Sequence, residues 1–280
     1  MRKSLMSVVV TLMCAGLIGC GESQNKANSI QIKGSDTMVN LVQAWAEYFI
    51  EAAPGSFVAV TGGGSGTGIA ALLNGTCNIA MCSRKMKEGE IELAREKGIE
   101  PKERTVALDG LAVVVHPSNI VEELTIGQLC DIFTGKVTNW KDVGGKEGEI
   151  VILSREVNSG TYVYFKEHVL AKKEYSGAAL LMPSSQAVAD EVAQNPNAIG
   201  YYGMGYISPE QKALKVAKDE NSPFAAPTPD NVTNGHYHIS RPLLMYTNGE
   251  PAGQIKKFLD FVLSKEGQEI VKKIDFVPVN

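Results

Sequence analysis

The chain has 280 residues, with 31 acidic and 27 basic side chains and a formal net charge of −4 at pH 7. A mildly acidic chain without a long basic run argues against nucleic acid or an anionic lipid surface as its main partner. It does not argue against a small anion, because a closed binding site works through local dipoles. The length allows two domains, or one large one, with a substantial core.

Residues 1–19 have the polarity of a secretory signal peptide. Two basic residues precede an apolar run over 7–17 that is too short to span a membrane as a helix. The run ends in LIGC, which resembles a bacterial lipobox, so we expect cleavage before Cys20 and attachment of a lipid to it. An ordinary cleaved signal is the alternative. Residues 20–28 then form a polar tether, and removal of the signal makes the formal net charge −6.

Apolar spacing predicts strands that alternate with helices along the rest of the chain. The predicted strands are 30–33, 57–60, 78–82, 106–116, 150–155, 199–202 and 243–247. The predicted helices are 39–52, 69–73, 88–97, 126–133, 162–173, 185–194 and a single long one over 254–274. This order predicts an α/β fold of mainly parallel sheets covered by helices, with ligands at the carboxyl ends of the strands. The run 106–116 is longer than one buried strand needs, so we expect it to cross between domains.

Three predicted strand-to-helix turns carry hydroxyl side chains beside the first free N–H groups of a helix. They are Gly34-Ser35-Asp36-Thr37, Gly64-Ser65-Gly66-Thr67 and Asn158-Ser159-Gly160-Thr161. One such turn alone is an ordinary N-cap. Three turns of one composition predict a shell of N–H and O–H donors, each supported by the positive end of a helix dipole.

Two arginines extend the same pattern. Arg155 ends a predicted strand four residues before Ser159, and Arg84 follows another predicted strand directly after Ser83. A guanidinium presents a planar fork that matches a tetrahedral oxyanion. A surface salt bridge is the alternative for either arginine. Together with the three turns, these residues predict a site for a tetrahedral oxyanion.

Other chemistry has less support from the motifs. Nucleotide hydrolysis requires a lysine directly after a glycine-rich loop, and no lysine follows the glycines here. A loose dinucleotide fingerprint at Gly66-x-Gly68-x-x-Ala71 lacks an acidic residue at a strand end about twenty positions later. Thr67 occupies the last position of the Gly-x-Ser-x-Gly pattern that a hydrolase nucleophile needs around Ser65.

Metal and disulfide chemistry are also weakly supported. His236 and His238 share a strand face without a clear third ligand, so we expect neither a metal nor a cofactor. Cys77, Cys82 and Cys130 remain after the signal peptide and Cys20 are set aside, and an odd number is not a disulfide framework. At least one is expected to be a buried thiol. Cys77 and Cys82 pair only if the local geometry allows it.

Several motifs, taken together, resemble the phosphate-binding subunit of bacterial phosphate ABC transporters, in order over nearly the whole mature chain. They are GSDTM (34–38), GGGSGTGIAAL (62–72), NIAMCSR (78–84), IFTGKVTNW (132–140), REVNSGTYVYF (155–165) and AIGYYGMGY (198–206). The resemblance implies a type II periplasmic-binding-protein fold, a Venus flytrap of two α/β lobes joined by a two-strand hinge, with the anion in the cleft. By similarity, the chain crosses between lobes at 107–114 and around 240–244. Lobe 1 is then 29–109 plus 241–280, and lobe 2 is 110–240.

The resemblance assigns Thr37 with its neighbours, Ser65, Arg155, Ser159, Gly160 and Thr161 to the anion, in agreement with the shell of donors. The full predicted phosphate-binding set is Ser35, Asp36, Thr37, Ser65, Gly66, Thr67, Ser83, Arg84, Arg155, Ser159, Gly160 and Thr161.

One position departs from the family pattern. Some members have an aspartate after the strand that corresponds to 78–82, where it accepts a hydrogen bond from protonated phosphate; Ser83 occupies that position here. A buried carboxylate accepts this proton and repels sulfate, which has none. Asp36 is the best substitute acceptor, and an N-cap or a salt bridge to Arg155 or Arg84 is its alternative role. Asp109 is expected to serve the hinge.

The sequence therefore predicts a receptor and not an enzyme. It is expected to be extracytoplasmic, in the periplasm or at the cell surface, to be held to the bacterial membrane by its N-terminal lipid, and to be a monomer. Its partners are inorganic phosphate and an ABC permease, with no nucleic acid. The alternatives are a receptor for sulfate or another tetrahedral oxyanion and, from a different class, a phosphate-ester hydrolase.

Overall fold

The structure is a computed structural model that describes residues 29–279; the predicted signal peptide, Cys20 and the tether lie outside the described residues. The strands are β1 (Ser29–Gly34), β2 (Phe57–Thr61), β3 (Ile79–Cys82), β4 (Pro101–Val115), β5 (Glu123–Thr125), β6 (Val151–Arg155), β7 (Leu180–Met182), β8 (Ala198–Gly203), β9 (Lys212–Ala213), β10 (Lys215–Ala217) and β11 (Ser240–Asn248). The helices are α1 (Val39–Ala52), α2 (Ser65–Leu73), α3 (Glu88–Glu96), α4 (Ile126–Phe133), α5 (Gly160–His168), α6 (Ser185–Gln194), α7 (Pro229–Thr233), α8 (Gly253–Val262) and α9 (Lys265–Lys273). No helix in the described part of the chain is long and apolar enough to cross a membrane.

The main sheet runs in the order β2-β1-β3-β11-β4-β8-β6-β7, with β9 paired to β4, while β10 and β5 form a separate pair. Its two ends are parallel: β1 pairs with β2 and β3, and β6 pairs with β7 and β8. Its middle is antiparallel, because β11 and β4 run against each other and against β3 and β8. The expectation of mainly parallel sheets therefore holds at the two ends and is wrong in the middle.

Strand β4 connects the two ends of the sheet. Its residues 101–110 pair with β11, and its residues 111–115 pair with β8. We call the part built on β1, β2 and β3 the first half, and the part built on β6, β7 and β8 the second half. Strand β4 thus leaves the first half and enters the second without a break, as the length of its apolar run indicates. The exact division into lobes at 109/110 and 240/241 stays a prediction.

Each half packs a layer of apolar side chains against the sheet, and the two layers belong to one continuous core. In the first half, α1 buries Leu41, Trp45 and Phe49 on one face, at helical spacing. The indole Nε1 of the fully buried Trp45 donates a 2.7 Å hydrogen bond to the carbonyl of Gly267. In the second half, the rings of Phe165 and Tyr201 stack with centroids 4.0 Å apart. These layers fix the strand ends that carry the polar residues described below.

The structure corrects several predicted boundaries. The predicted helix over 254–274 is two helices, α8 and α9, because Ser264 caps the second one and accepts a hydrogen bond from the Gly267 N–H. The helix predicted at 162–173 begins at Gly160 and ends at His168, before Ala171 and Lys172 in the left-handed region. The helix predicted at 69–73 begins at Ser65, so two of the three hydroxyl turns lie within the first turn of a helix.

Candidate anion-binding site

Three serines of the first half meet at the carboxyl ends of neighbouring strands. Ser35 follows β1, Ser83 follows β3, and Ser65 is the first residue of α2; all three are buried. The hydroxyl of Ser35 donates to that of Ser83 at 2.9 Å, and the Ser83 N–H donates to the Ser65 hydroxyl at 3.0 Å. Because β1 and β3 are parallel neighbours, their ends lie at one edge of the sheet, and this produces the serine cluster (Ser35, Ser65 and Ser83).

The first turn of α5, from the second half, lies directly against the serine cluster. A Cβ atom on Gly160 would lie 2.2 Å from the Ser65 Oγ and 2.7 Å from the Ser83 Oγ. Only glycine therefore allows the two halves to approach this closely. Ser159 caps the helix and accepts hydrogen bonds from the N–H groups of Thr161 and Tyr162. The predicted residues Ser159, Gly160 and Thr161 thus meet the serine turns of the first half at a helix N-terminus, which favours anions.

Two threonines join the halves beside this cluster. The Oγ1 atoms of Thr37 and Thr161 are hydrogen-bonded at 2.9 Å, and both side chains are buried. Thr37 lies in the single 3-10 turn Asp36–Met38 that follows β1, and Thr161 lies in the first turn of α5. Hydroxyls from all three predicted turns therefore lie in one buried region between the halves.

Asp36 and Arg155 form an ion pair between the halves. The Arg155 Nη2 atom lies 2.8 Å from the Asp36 Oδ2, and the two side chains are 1% and 12% exposed, respectively. Arg155 also donates to the Ser185 hydroxyl at 3.0 Å. The other carboxylate oxygen of Asp36 accepts from the Gly63 N–H at 2.9 Å. Burial lowers the pKa of the Arg155 guanidinium, and the charge of Asp36 opposes that shift.

This geometry matches the alternative role for Asp36, a salt bridge to Arg155, because both of its carboxylate oxygens have protein donors. The backbone carbonyl of Asp36 is also bonded, accepting from the Tyr206 hydroxyl at 2.6 Å. Its role as acceptor of a phosphate proton stays a prediction without geometric support.

Arg84 hydrogen-bonds Glu90 and the Lys85 carbonyl and not the hydroxyls. Its two terminal nitrogens each lie 2.7 Å from an oxygen of Glu90, the paired geometry of a salt bridge. Burial by itself raises the pKa of Glu90, but the hydrogen bonds from Arg84 and the Lys87 backbone outweigh burial and bring the pKa below its ordinary value of 4.5. Arg84 therefore has the salt-bridge role that the sequence left open as an alternative. Its partner Glu90 lies six positions further along the chain and accepts from both terminal nitrogens.

Gly66 and Thr67 bind the neighbouring turn and not the serine cluster. The Gly66 N–H donates to the Asn158 carbonyl at 3.0 Å, and the Asn158 side-chain amide donates to the Gly63 carbonyl at 3.0 Å. The same amide approaches the Thr67 hydroxyl at 3.4 Å. These bonds join the glycine loop of the first half to the turn that precedes α5 in the second half. Gly66 and Thr67 therefore hold the two halves together at the edge of the site.

Arg241 is a site residue that no sequence motif predicted. This residue lies on β11 opposite Asp109 on β4, and its Nε donates to the Asp109 Oδ2 at 2.9 Å. Its Nη2 donates to the Thr161 hydroxyl at 3.0 Å. The available signal was Asp109 itself, since a carboxylate inside an apolar strand requires a buried cation nearby. Burial raises the pKa of Asp109, while the adjacent charge of Arg241 opposes the shift.

The cysteines and histidines supply no second site. Cys77, Cys82 and Cys130 are free and buried, so Cys77 and Cys82 do not pair. Burial raises the pKa of the Cys77 thiol to about 11, which makes it unreactive at neutral pH. Across residues 29–279, no three His, Cys, Asp or Glu side chains form a group that could hold a metal ion.

The fold and the site define an α/β binding protein with a buried polar cluster between two halves, beside the strands that cross between them. Comparisons with known proteins agree. The model of the PBP superfamily domain matches residues 21–266. The chain is 35% identical over 263 residues to the phosphate-binding protein PstS of Pseudomonas aeruginosa PAO1, covering 88% of this chain and 81% of that protein. It is 33% identical to PstS of Bacillus subtilis over 260 residues, covering 91% and 82% of the two chains.

Solved structures of phosphate transport proteins are also similar to this chain. One, from Clostridium perfringens, is described as a phosphate ABC transporter substrate-binding protein with bound phosphate; it has a TM-score of 0.82 and 37% identity, and covers 90% of this chain and 100% of its own. A phosphate transport receptor from Vibrio cholerae has a TM-score of 0.71 and 32% identity, and covers 89% and 99%. The chain belongs to the PBP superfamily and, within it, to the family of the phosphate-binding proteins PstS. The family and the fold class that the motifs predicted are confirmed.

Proposed function

We propose that this protein is an extracytoplasmic receptor that binds inorganic phosphate between its two halves and delivers it to an ABC permease for import. One observation carries the proposal: hydroxyl side chains from three separate strand-to-helix turns, on both halves, lie together in one buried region. Relatives over most of the chain's length are named for phosphate binding, and one solved relative contains phosphate.

The geometry supports binding by closure. In this state the Thr37 and Thr161 hydroxyls bond to each other across the halves. A phosphate ion placed there would take these hydroxyls as donors in exchange for their mutual bonds. Since each half supplies part of the donor set, an anion that contacts both halves stabilises the closed arrangement over an open one.

The binding energy comes mainly from dipoles and directed donors. The Asp36–Arg155 ion pair carries no net charge, so the buried region is not strongly cationic at that point. The N-terminal turns of α2 and α5, from opposite halves, both begin at the hydroxyl cluster, by which we mean the serine cluster together with Thr37 and Thr161. Helix N-termini and hydroxyls recognise a small oxyanion at short range, and this suits a chain whose overall charge is negative.

Sulfate, or another tetrahedral oxyanion, is the second candidate ligand. Ser83 stands where a carboxylate would select for protonated phosphate, and both carboxylate oxygens of Asp36 already accept protein hydrogen bonds. Nothing in this donor set repels sulfate, so selectivity must be measured directly.

We further infer that the protein is a lipid-anchored monomer without catalytic activity. The lipobox-like LIGC at residues 17–20 supports the anchor, and transport relatives support a receptor. A phosphatase assay with and without added divalent metal tests the hydrolase alternative: turnover of a phosphate ester at a catalytic rate contradicts the receptor function.

Calorimetric titration of the mature protein tests the central proposal. Phosphate, sulfate and arsenate are titrated separately at two pH values. We expect saturable one-to-one heat with phosphate, and the heat with sulfate measures the selectivity between the two anions. Heat with sulfate but none with phosphate would overturn the assignment in favour of the second candidate.

A further inference from the structure

A second guanidinium, that of Arg241, hydrogen-bonds hydroxyls of the predicted turns, whereas the hydrogen bonds of Arg84 go to Glu90 and the Lys85 carbonyl. Arg241 is fully buried on β11, one of the two central antiparallel strands. Its Nη2 lies 3.0 Å from the Thr161 hydroxyl of the second half and 3.4 Å from the Thr37 hydroxyl of the first. One nitrogen thus contacts the two hydroxyls that meet across the halves.

The other terminal nitrogen of this guanidinium is unused. The Nη1 atom of Arg241 is buried and has no hydrogen-bond partner among residues 29–279. A buried N–H donor without an acceptor is unfavourable, and a charged one more so. Because Nη2 of the same guanidinium contacts two hydroxyls, the unpaired Nη1 indicates a ligand that accepts hydrogen bonds from this guanidinium and from those hydroxyls.

Asp109 fixes the direction of this guanidinium. It lies directly opposite Arg241 in the register of β4 and β11. Its Oδ2 accepts from the Arg241 Nε at 2.9 Å, and its Oδ1 accepts from the Met204 N–H at 3.0 Å. The carboxylate therefore holds both Nε and Nη2 of the guanidinium, with Nη2 2.9 Å from the Asp109 Oδ2, and Nη2 also contacts the two threonine hydroxyls.

We propose that Arg241 is a ligand of the anion, and that it supplies, together with Thr37 and Thr161, the guanidinium contact that the sequence predicted for Arg84. When the anion separates the two threonine hydroxyls, the terminal nitrogens of Arg241 donate to its oxygens, and Asp109 acts as the positioning residue. The proposal rests on the proposed function, since it assigns a further contact to the same site. The proposal also places a ligand contact on β11, a central strand whose Arg241 lies beside hydroxyl donors from both halves.

Four variants test the assignment by phosphate titration: Arg241→Gln, Arg241→Lys, Asp109→Asn and the double variant Asp109→Asn/Arg241→Gln. The double variant keeps similar volumes and leaves no unpaired buried charge, so it is expected to fold. Loss of a charged donor predicts phosphate binding about tenfold to a hundredfold weaker for Arg241→Gln and for the double variant. Arg241→Lys keeps the charge but not the fork, so it is expected to lose about tenfold.

Arg104→Gln is the matched control. Arg104 lies on β4, the strand paired with β11, and also forms an ion pair, but with the exposed Glu250 at 2.7 Å. The phosphate affinity of Arg104→Gln is therefore expected to stay within about twofold of the wild type. Circular dichroism and thermal unfolding establish that each variant is folded.

The outcomes separate this inference from the proposed function. If the wild type does not bind phosphate, the function itself fails. If the wild type binds phosphate and the folded double variant binds it equally well, only the role of Arg241 is overturned. If the double variant does not fold, Arg241→Lys decides: unchanged affinity in that folded variant contradicts the proposal, and weakened affinity with Arg104→Gln unaffected supports it.

Discussion

The Oγ1 atoms of Thr37 and Thr161 lie 2.9 Å apart although the two residues are 124 positions apart in the chain. Thr37 follows the first strand of the first half, and Thr161 lies in the first turn of a helix of the second half. Their contact shows that the two hydroxyl turns face each other across the halves. A ligand that binds to both turns must therefore lie between them.

Thr161→Val tests this pair directly. Valine keeps the shape and removes the hydroxyl, so Arg241 and Thr37 lose a shared partner. We expect phosphate affinity, measured by calorimetry, to fall about tenfold. Thr134→Val is the control, because the Thr134 hydroxyl bonds the Cys130 carbonyl at a helix end away from the site. Equal affinity in Thr161→Val and the control would remove Thr161 from the binding set.

Gly160→Ala tests whether ligand binding requires the close approach of the halves. A Cβ there would lie 2.2 Å from the Ser65 Oγ, a contact made only when the halves are together. We expect the variant to fold, to bind phosphate at least about tenfold more weakly, and to show less compaction on addition of phosphate in small-angle X-ray scattering.

Gly89→Ala is the matched control for this variant, because Gly89 also lies in the first turn of a helix but has open space around its Cβ position. Wild-type affinity in Gly160→Ala would show that the phosphate complex does not need this contact.

Asp36→Asn separates two roles of this carboxylate. In the structure it binds Arg155 at 2.8 Å and the Gly63 N–H at 2.9 Å. If it acts as a bridge between the halves, its loss weakens phosphate and sulfate binding alike, by several-fold, and the ratio of the two affinities stays constant. We expect this result from parallel titrations with both anions. A ratio that shifts toward sulfate would instead identify Asp36 as the acceptor of the phosphate proton.

Glu90→Gln tests the role of Arg84 as a structural residue, through pH. The pKa of Glu90 lies below its ordinary value of 4.5 in the folded chain, so the unfolded chain holds the proton more tightly. The ionised Glu90 therefore stabilises the folded chain fully when the pH is above the pKa of Glu90 in the unfolded chain. This stabilisation is lost as the pH falls through the lower pKa of the folded chain. We expect the melting temperature of the wild type to fall more steeply than that of Glu90→Gln between about pH 5 and pH 3.

Phosphate affinity at neutral pH provides the second measurement for Glu90→Gln. It is expected to match the wild type, since the terminal nitrogens of Arg84 bond Glu90 and the Lys85 carbonyl and not a hydroxyl of the site. A large loss of affinity would return Arg84 to the binding site.

Much of the local structure is readable in the sequence because it depends on neighbouring residues. The helical spacing of Leu41, Trp45 and Phe49 predicts α1 with its observed bounds. The composition of the three hydroxyl turns predicts donors at helix starts, and two of these turns lie in the first turn of α2 and α5. The motifs also identify the family, since they occur in order along nearly the whole mature chain.

The break between α8 and α9 is harder to predict from the sequence. The periodic apolar residues continue across it, and only the cap by Ser264 and the close packing of Gly267 against the Phe261 carbonyl show where one helix ends. A pattern of apolar positions records which side of a segment is buried, but not a short interruption that preserves that side.

The sequence by itself determined which side chains are suited to an oxyanion, because hydroxyls, glycines and arginines at strand ends have that chemistry wherever they lie. Only the tertiary structure decided which of them meet. Arg84 forms a salt bridge with Glu90, and Asp36 forms one with Arg155. Arg241 contacts Thr161 from β11, a strand that none of the family motifs includes. These choices depend on distances between residues far apart in the chain, and strand order and register set those distances.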